Sequence, residues 1–228
     1  MCGVPGMRKG VILLSGGIDS AVTLYFAKTK GYRLSALICD YGQRHKKEIE
    51  CAKKIAGLNK IDYHLIKCDL SWVKSALVDE KIKVPLKRNL KSKSVPSTYV
   101  SARNIIFLSY AASLAETIKA KAIFIGAHVQ DYSGYPDCRP NFLNSFQKAL
   151  NLGLRDDGLR IIAPLLNKDK KDIIKMGIKL KVPFEYTWSC YQGGQFPCLK
   201  CDSCRFRIEG FKKLGLIDPV IRNKGGKT

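Results

Sequence analysis

The chain has 228 residues, of which 46% are hydrophobic and 26% are charged. A chain of this length can form one globular domain with a buried core, alone or with a small appendage. This composition excludes a disordered chain, a collagen-like repeat and a disulfide miniprotein. The formal net charge is +21, from 40 lysines and arginines against 19 acidic residues. Such an excess indicates either polyanionic ligands, including nucleotides and nucleic acids, or a lysine-rich thermophilic surface, and charge alone does not choose between them.

Short apolar runs alternate with longer helical stretches along the chain. Strands are predicted at 11–14, 34–39, 61–67, 122–125 and 159–162, and helices at 19–30, 43–56, 101–119 and 167–180, the last with Asn167 as N-cap. This alternation predicts an α/β fold, a doubly wound parallel sheet with helices on both faces. Ligands bind such sheets beyond the carboxyl ends of the strands, which precede residues 15–20, 40–45, 127–140 and 164–168. We therefore expect these segments to form one active site.

Two stretches depart from the alternation. Residues 81–100 contain six lysines and arginines and no acidic residue, which predicts a mobile basic loop that an anionic ligand orders. After Pro183 the apolar periodicity fades and cysteines become frequent. We predict a nucleotide-binding domain over 8–183 and a small helical C-terminal lobe over 184–228.

Four of the nine cysteines lie within fifteen residues, at Cys190, Cys198, Cys201 and Cys204. This clustering favours a metal site in a reducing cytosol over a secreted disulfide framework. Four thiolates at this spacing predict a closed, structural Zn²⁺ site; an iron–sulfur cluster and unliganded thiols are the alternatives. No signal peptide and no apolar run of about 18 residues is present, so we expect a cytoplasmic protein that does not span a membrane.

The hexapeptide Ser15-Gly16-Gly17-Ile18-Asp19-Ser20 lies between the first predicted strand and helix. Its glycines permit a tight turn, and the free N–H groups of the helix start attract phosphate oxygens. It lacks the lysine of the G-x-x-x-x-G-K-[ST] loop, and an ordinary strand–helix turn is the alternative. The segment resembles the pyrophosphate loop (PP-loop) of the ATP pyrophosphatase superfamily, of adenine nucleotide alpha hydrolase-like fold. That resemblance implies cleavage of ATP between its α and β phosphates, with Asp19 near the phosphates and Mg²⁺.

Three longer strings resemble the QueC family of 7-cyano-7-deazaguanine synthases. They are D-Y-G-Q-R-H at 40–45, D-Y-S-G-Y-P-D-C-R-P at 131–140, and W-S-C-Y with C-L-K-C-D-S-C at 188–204. The resemblance covers about residues 10–212. It implies a C–N-forming ligase that converts 7-carboxy-7-deazaguanine, ammonia and ATP into the nitrile, by adenylating the acid and then the amide. Mg²⁺, a bound Zn²⁺ and a homodimer are implied, and nucleic acid is not required; the product feeds queuosine in bacteria and archaeosine in archaea.

We assign roles to individual residues within this resemblance. The predicted ATP-binding residues are Leu14, Ser15, Gly16, Gly17, Ile18, Asp19, Ser20, Ala21, Asp40, Gln43 and Arg103, and the predicted catalytic residues are Asp19, Lys168, Asp131 and Arg139. Lys168 would neutralise the leaving pyrophosphate. Tyr132, Tyr135, Asp137 and Arg139 are predicted to bind the deazaguanine, through carboxylates on its guanine-like donors, ring stacking and an arginine on its carboxylate. For each residue of this loop, a loop-structuring hydrogen bond is the alternative.

The chain departs from the family pattern at two places. The family usually has Y-V-P-G-R-N where this chain has Y-V-S-A-R-N at 99–104, and Leu199 replaces a glycine between two of the clustered cysteines. Two rival functions remain open. A PP-loop enzyme that adenylates tRNA, of the lysidine synthase or thiolase type, suits the positive charge, and a non-catalytic nucleic-acid-binding zinc protein leaves the PP-loop unexplained.

Overall fold

The computed structural model describes residues 7–89, 94–128 and 134–222. Five parallel strands form one sheet in the order β3-β2-β1-β4-β5. They are Arg8–Leu13 (β1), Tyr32–Asp40 (β2), Tyr63–Lys67 (β3), Ala122–Phe124 (β4) and Arg160–Ile162 (β5). The strand order reverses at β1, where Gly10 pairs with Leu34 of β2 and Ala122 of β4. A ligand crevice is expected at this point of an open parallel sheet.

Helices cover both faces of the sheet, which confirms the predicted fold class. They are Ile18–Thr29 (α1), Lys47–Leu58 (α2), Arg103–Thr117 (α3), Pro140–Gly153 (α4), Lys170–Lys179 (α5), Asp202–Lys212 (α6) and Pro219–Arg222 (α7). Alternate strand residues point to opposite faces. In β1, Ile12 packs into the core that contains buried residues of α1, α2 and α5, whereas Val11 and Leu13 pack into the core that contains buried residues of α3 and α4.

Three helices differ from their predicted extents. Helix α4 was not predicted, although Phe142, Phe146 and Leu150 recur at helical spacing and pack on the sheet. Helix α2 begins at Lys47 rather than at 43, and residues 43–46 form a loop instead. The expected N-cap of α5, Asn167, is wrong: the Oδ1 atom of Asp169 accepts a hydrogen bond from the backbone N–H of Asp172 (2.9 Å) and begins the helix at residue 170.

The C-terminal segment contains a helix, α6, and packs on the sheet domain. Phe184 and Phe211 belong to the same buried core as α1 and α5, so the segment shares a core with the domain; the boundary at 183 stays a prediction. Arg207, which is 5% exposed, donates to both carboxylate oxygens of Asp218 and to the carbonyl oxygens of Phe184 and Thr187. This arginine therefore joins α6 to the turn at 184–187 and to Asp218, which precedes α7.

The basic segment after β3 meets the same C-terminal segment. Leu86 forms a bridge to Cys201, and Nε of Arg88 donates to Oδ2 of Asp202 (2.9 Å). In the described part of the loop that was predicted to be mobile, these residues therefore contact other residues of the same chain. Lys91 and Lys93 lie outside the described residues. No helix within the described ranges is both long and apolar enough to cross a membrane.

Candidate active site and metal centre

The PP-loop connects β1 to α1 and is closed by its own hydroxyl groups. Oγ of Ser20 accepts from the backbone N–H of Ser15 (3.2 Å) and lies 3.1 Å from Oγ of Ser15, which accepts from the N–H of Gly17 (3.3 Å). The first N–H groups of α1 have no partner within the helix, and they begin at Ile18. The loop thus presents backbone donors at a helix N-terminus, the geometry that suits a phosphate.

Gly16 allows two other segments to approach the loop closely. Its φ is +81°, and a Cβ atom here would lie 2.2 Å from the carbonyl oxygen of Glu48, so another residue would clash. The carbonyl oxygen of Gly16 accepts from the backbone N–H of Trp188 (2.9 Å). The start of α2 and the C-terminal segment are therefore both built against the PP-loop.

A three-residue contact lies at the start of α1. Nζ of Lys170 is 2.6 Å from Oδ1 of Asp19 and 3.2 Å from Nε2 of His128, which lies 3.5 Å from Oδ2 of Asp19. Burial alone would raise the pKa of Asp19, but the charges of Lys170 and His128 hold that pKa well below its ordinary value. Asp19 is therefore an ionised carboxylate beside a lysine at the PP-loop.

A cleft of about 240 Å³ opens beside the PP-loop, beyond the carboxyl ends of the strands. It is lined by eight of the predicted site residues: Leu14, Ser15, Gly17, Asp19, Ser20, Gln43, Arg103 and Tyr135. Ile18 and Ala21 instead face the core, at 1% and 0% exposure. Asp131 and Tyr132 lie outside the described residues.

The loop after β2 is held in shape by its own side chains. Oε1 of Gln43 accepts from the backbone N–H of Tyr41 (2.8 Å), and its Nε2 donates to the carbonyl oxygen of Cys39 (3.3 Å). Asp40 pairs with Lys46 and accepts from the N–H of Gly42. Burial alone would raise the pKa of Asp40, but these contacts outweigh burial and lower the pKa. Gln43 lines the cleft whereas Asp40 does not, and both fix the loop.

The far end of the cleft is formed by the loop before α4. Tyr135 and Cys138 line it together with Asn104, whose Nδ2 lies 3.2 Å from Sγ of Cys138. Asp137 is buried, and its Oδ2 accepts from the backbone N–H of Asn104 (2.9 Å), which ties this loop to the start of α3. Arg139 is exposed at the start of α4 and does not line the cleft.

A glutamate that sequence reasoning did not select also lines the cleft. Glu48 is the second residue of α2, and it shares the cleft with Arg103 and Tyr41. Burial raises its pKa to about 7, and the nearby charge of Arg103 lowers it only in part. The cleft therefore contains a carboxyl group that changes charge close to neutral pH.

The four clustered cysteines converge at the base of the C-terminal segment. Their Sγ atoms all lie within 4.8 Å of one another, close to the roughly 3.8 Å edge that tetrahedral zinc with Zn–S bonds of about 2.3 Å requires. Backbone N–H groups of Gln192 and Cys198 donate to Sγ of Cys190, and that of Cys201 donates to Sγ of Cys198. Donors of this kind stabilise thiolates that bind a metal. The four predicted cysteines therefore come together in an arrangement that could hold one metal ion.

The thiols also compete for protons. Hydrogen bonds from Cys201 and Cys204 lower the pKa of Cys190, and the hydrogen bond to Cys190 raises the pKa of Cys201 to about 12. A divalent cation would allow all four to ionise together.

A family model described as queuosine biosynthesis protein QueC matches residues 9–215 of the chain. The chain belongs to the QueC family. The 7-cyano-7-deazaguanine synthase of Clostridium kluyveri is 51% identical to it, covering 97% of this chain and all of that protein. The protein of the same name from Picrophilus torridus is 49% identical, covering 94% and 91%.

The likeness to solved structures concerns the fold alone. NMN synthetase from Francisella tularensis has a TM-score of 0.52 and 17% identity, covering 98% of this chain and 79% of that one. The family model and the two synthases, and not this structure, confirm the resemblance to the QueC family over nearly the whole length of the chain.

In this QueC chain, sequence reasoning found many of the residues that line the cleft but did not find the charged residues that contact Asp19. It selected Lys168 and passed over Lys170 and His128, which contact Asp19; none of the three lines the cleft, and the role of Lys168 stays a prediction. The signal in the sequence was Asp169, because aspartate is a favoured N-cap residue. An N-cap at Asp169 makes Lys170 the first residue of α5.

Proposed function

We propose that this QueC chain converts 7-carboxy-7-deazaguanine, ammonia and ATP into 7-cyano-7-deazaguanine. One observation carries the proposal: the PP-loop and the family-specific loop before α4 line the same cleft, in a chain whose relatives bear the name of this synthase. A carboxylate is a poor electrophile because substitution must expel oxide or hydroxide. Adenylation supplies a leaving group, ammonia then gives the amide, and adenylation of the amide oxygen followed by loss of AMP gives the nitrile.

ATP is proposed to bind with its phosphates at the PP-loop. The N–H groups of Ile18 to Ser20 supply donors at the N-terminus of α1, and the hydroxyls of Ser15 and Ser20 hold the loop that presents them. Lys170, not Lys168, is the lysine in contact with Asp19, and we assign it the neutralisation of the leaving pyrophosphate. Mg²⁺ bound at the ionised Asp19 would screen the phosphate charge.

The deazaguanine is proposed to occupy the end of the cleft lined by Tyr135, Asn104 and Cys138. The aromatic ring of Tyr135 offers a stacking surface, and the cationic Arg103 offers a partner for the substrate carboxylate. Asp137 supports this end through the N-terminus of α3 rather than by reaching into the cleft. Direct roles for Asp131, Tyr132 and Arg139 stay predictions.

The four-cysteine set is proposed to hold Zn²⁺ in a structural role. Four protein thiolates complete a tetrahedral shell, so no coordination position is left for substrate. When bound, the ion would crosslink the C-terminal segment, whose Trp188 N–H donates to Gly16 of the PP-loop. The eight described cysteines form no disulfide, which fits the proposed cytoplasmic location. A homodimer stays a prediction.

The test is mass spectrometry of the product after incubation of the zinc-loaded protein with ATP, Mg²⁺, ammonium and 7-carboxy-7-deazaguanine, with no nucleic acid present. We expect the nitrile, with two AMP and two pyrophosphate released for each molecule formed. Turnover of ATP that requires tRNA would support the tRNA-adenylating rival instead. Absence of both nitrile and amide from this mixture refutes the proposal.

A further inference from the structure

Two carboxylates line the cleft within the described residues, Asp19 and Glu48, and their surroundings differ. Asp19 is engaged by Lys170 at 2.6 Å. Within 7–89, 94–128 and 134–222, no hydrogen bond or ion pair joins the Glu48 carboxylate to another side chain. The adenylation machinery described above makes no use of Glu48, so its position requires a separate explanation.

Glu48 lies beside the PP-loop and lines the cleft. Its backbone touches the PP-loop, because the carbonyl oxygen of Glu48 occupies the space that a Cβ of residue 16 would need. Its side chain faces the cleft that also contains Tyr135 and Cys138 at the far end. A group bound at Glu48 is thus in the same cleft as both the phosphates and the acid to be activated.

Within the described residues, Glu48 is the cleft carboxylate that no lysine or arginine engages in an ion pair. The chain carries a net charge of +21, which opposes the entry of ammonium. Arg103 reaches across to Tyr41, donating to its hydroxyl at 3.3 Å, and Lys47 on the same helix points away, to the carbonyl oxygen of Gln195 (2.6 Å). Two other titratable groups interact electrostatically with Glu48. The charge of Glu48 raises the pKa of Cys51, and the charge of Cys190 raises the pKa of Glu48. Glu48 is consequently the uncommitted negative charge of the cleft.

We propose that Glu48 receives the ammonium ion in the cleft and removes its proton, which makes it the general base of the amide-forming step. The inference rests on the proposed function. Ammonium transfers one proton to the carboxylate, giving ammonia. The nitrogen lone pair forms the C–N bond, the bond between the acyl carbon and the AMP oxygen breaks, and its electron pair leaves with AMP. The second proton lost by nitrogen passes to solvent.

The raised pKa of Glu48 supports this role. A base is most effective when its pKa lies near the working pH, because it is then partly ionised and still binds a proton well. Burial raises the pKa of Glu48 to about 7, above its ordinary value of 4.5. An ordinary exposed glutamate would be a much weaker acceptor for an ammonium proton.

The test compares two nitrogen nucleophiles in Glu48→Gln and wild type. Ammonia is mostly protonated at neutral pH and needs the base, whereas hydroxylamine is mostly unprotonated and does not. We expect amide and nitrile formation from ammonium to fall by about 100-fold or more in the variant. Hydroxamate formation from hydroxylamine, and ATP–pyrophosphate exchange driven by the acid, should stay within about 3-fold of wild type.

Glu50→Gln is the matched control, because Glu50 lies on the same helix and is exposed. It should leave both reactions unchanged. Equal loss of the ammonium and hydroxylamine reactions in a folded Glu48→Gln protein, or retention of the ammonium reaction, would overturn the inference. If Glu48→Gln does not fold, Glu48→Asp is judged by the same ratio of the two nucleophiles. Wild type that makes neither amide nor nitrile refutes the proposed function, whereas wild type that stops at the amide still allows the nucleophile ratio to test Glu48.

Discussion

Ala102 is held in a backbone conformation that alanine disfavours. Its φ and ψ are +56° and +17°, the left-handed region, immediately before α3. The same site holds glycine in the usual family pattern, Y-V-P-G-R-N. A residue with a Cβ is destabilised by about 1–2 kcal/mol in this conformation, and glycine avoids that cost. The greater entropy of the unfolded chain with glycine offsets about 0.4–1 kcal/mol of the gain. Replacing Ala102 by glycine should therefore stabilise the protein by about 0.5–1 kcal/mol.

The change is measurable as a shift in melting temperature. For a domain of this size, about 1 kcal/mol corresponds to about 2–4 °C, so we expect Ala102→Gly to raise Tm by about 1–4 °C. Ala149→Gly is the control: Ala149 lies exposed within α4, where glycine costs about 1 kcal/mol and should lower Tm. Calorimetry of both variants in the zinc-loaded state decides. If Ala102→Gly lowers Tm as Ala149→Gly does, the strain at residue 102 is not the controlling term.

Three further changes test the site. Cys201→Ser should abolish stoichiometric zinc in metal analysis and lower Tm sharply, because structural zinc contributes on the order of 10 kcal/mol, whereas Cys68→Ser should retain the metal. Lys170→Met should slow ATP–pyrophosphate exchange by about 100-fold or more, and the exposed neighbour Lys171→Met should not; equal rates would contradict the assigned role. Because the folded pKa of Glu48 is raised from 4.5 to about 7, the stability of wild type relative to Glu48→Gln should fall as pH rises through that window; a flat difference in urea melts would contradict the raised value.

The fold was predictable because its signals are local. Four apolar residues followed by Ser15-Gly16-Gly17 mark a buried strand that ends at a phosphate-binding turn, and that reading needs only nearby residues. The same holds for the cysteines, whose spacing alone brings four sulfur atoms to one point. Helix α4 carries an equally local pattern in Phe142, Phe146 and Leu150, and this helical spacing is sufficient to predict it from the sequence.

The charged partners of the site were not predictable in this way, because they depend on packing between distant segments. Lys170 and Asp19 are 151 residues apart and meet because α5 packs beside α1 and begins where Asp169 caps it. Glu48 depends on Gly16 in the same manner: without a Cβ at residue 16, α2 can approach the PP-loop, and only then does its first turn face the cleft. The position of the proposed general base thus depends on a glycine 32 residues earlier, and a side chain at residue 16 should both displace Glu48 and strain the PP-loop.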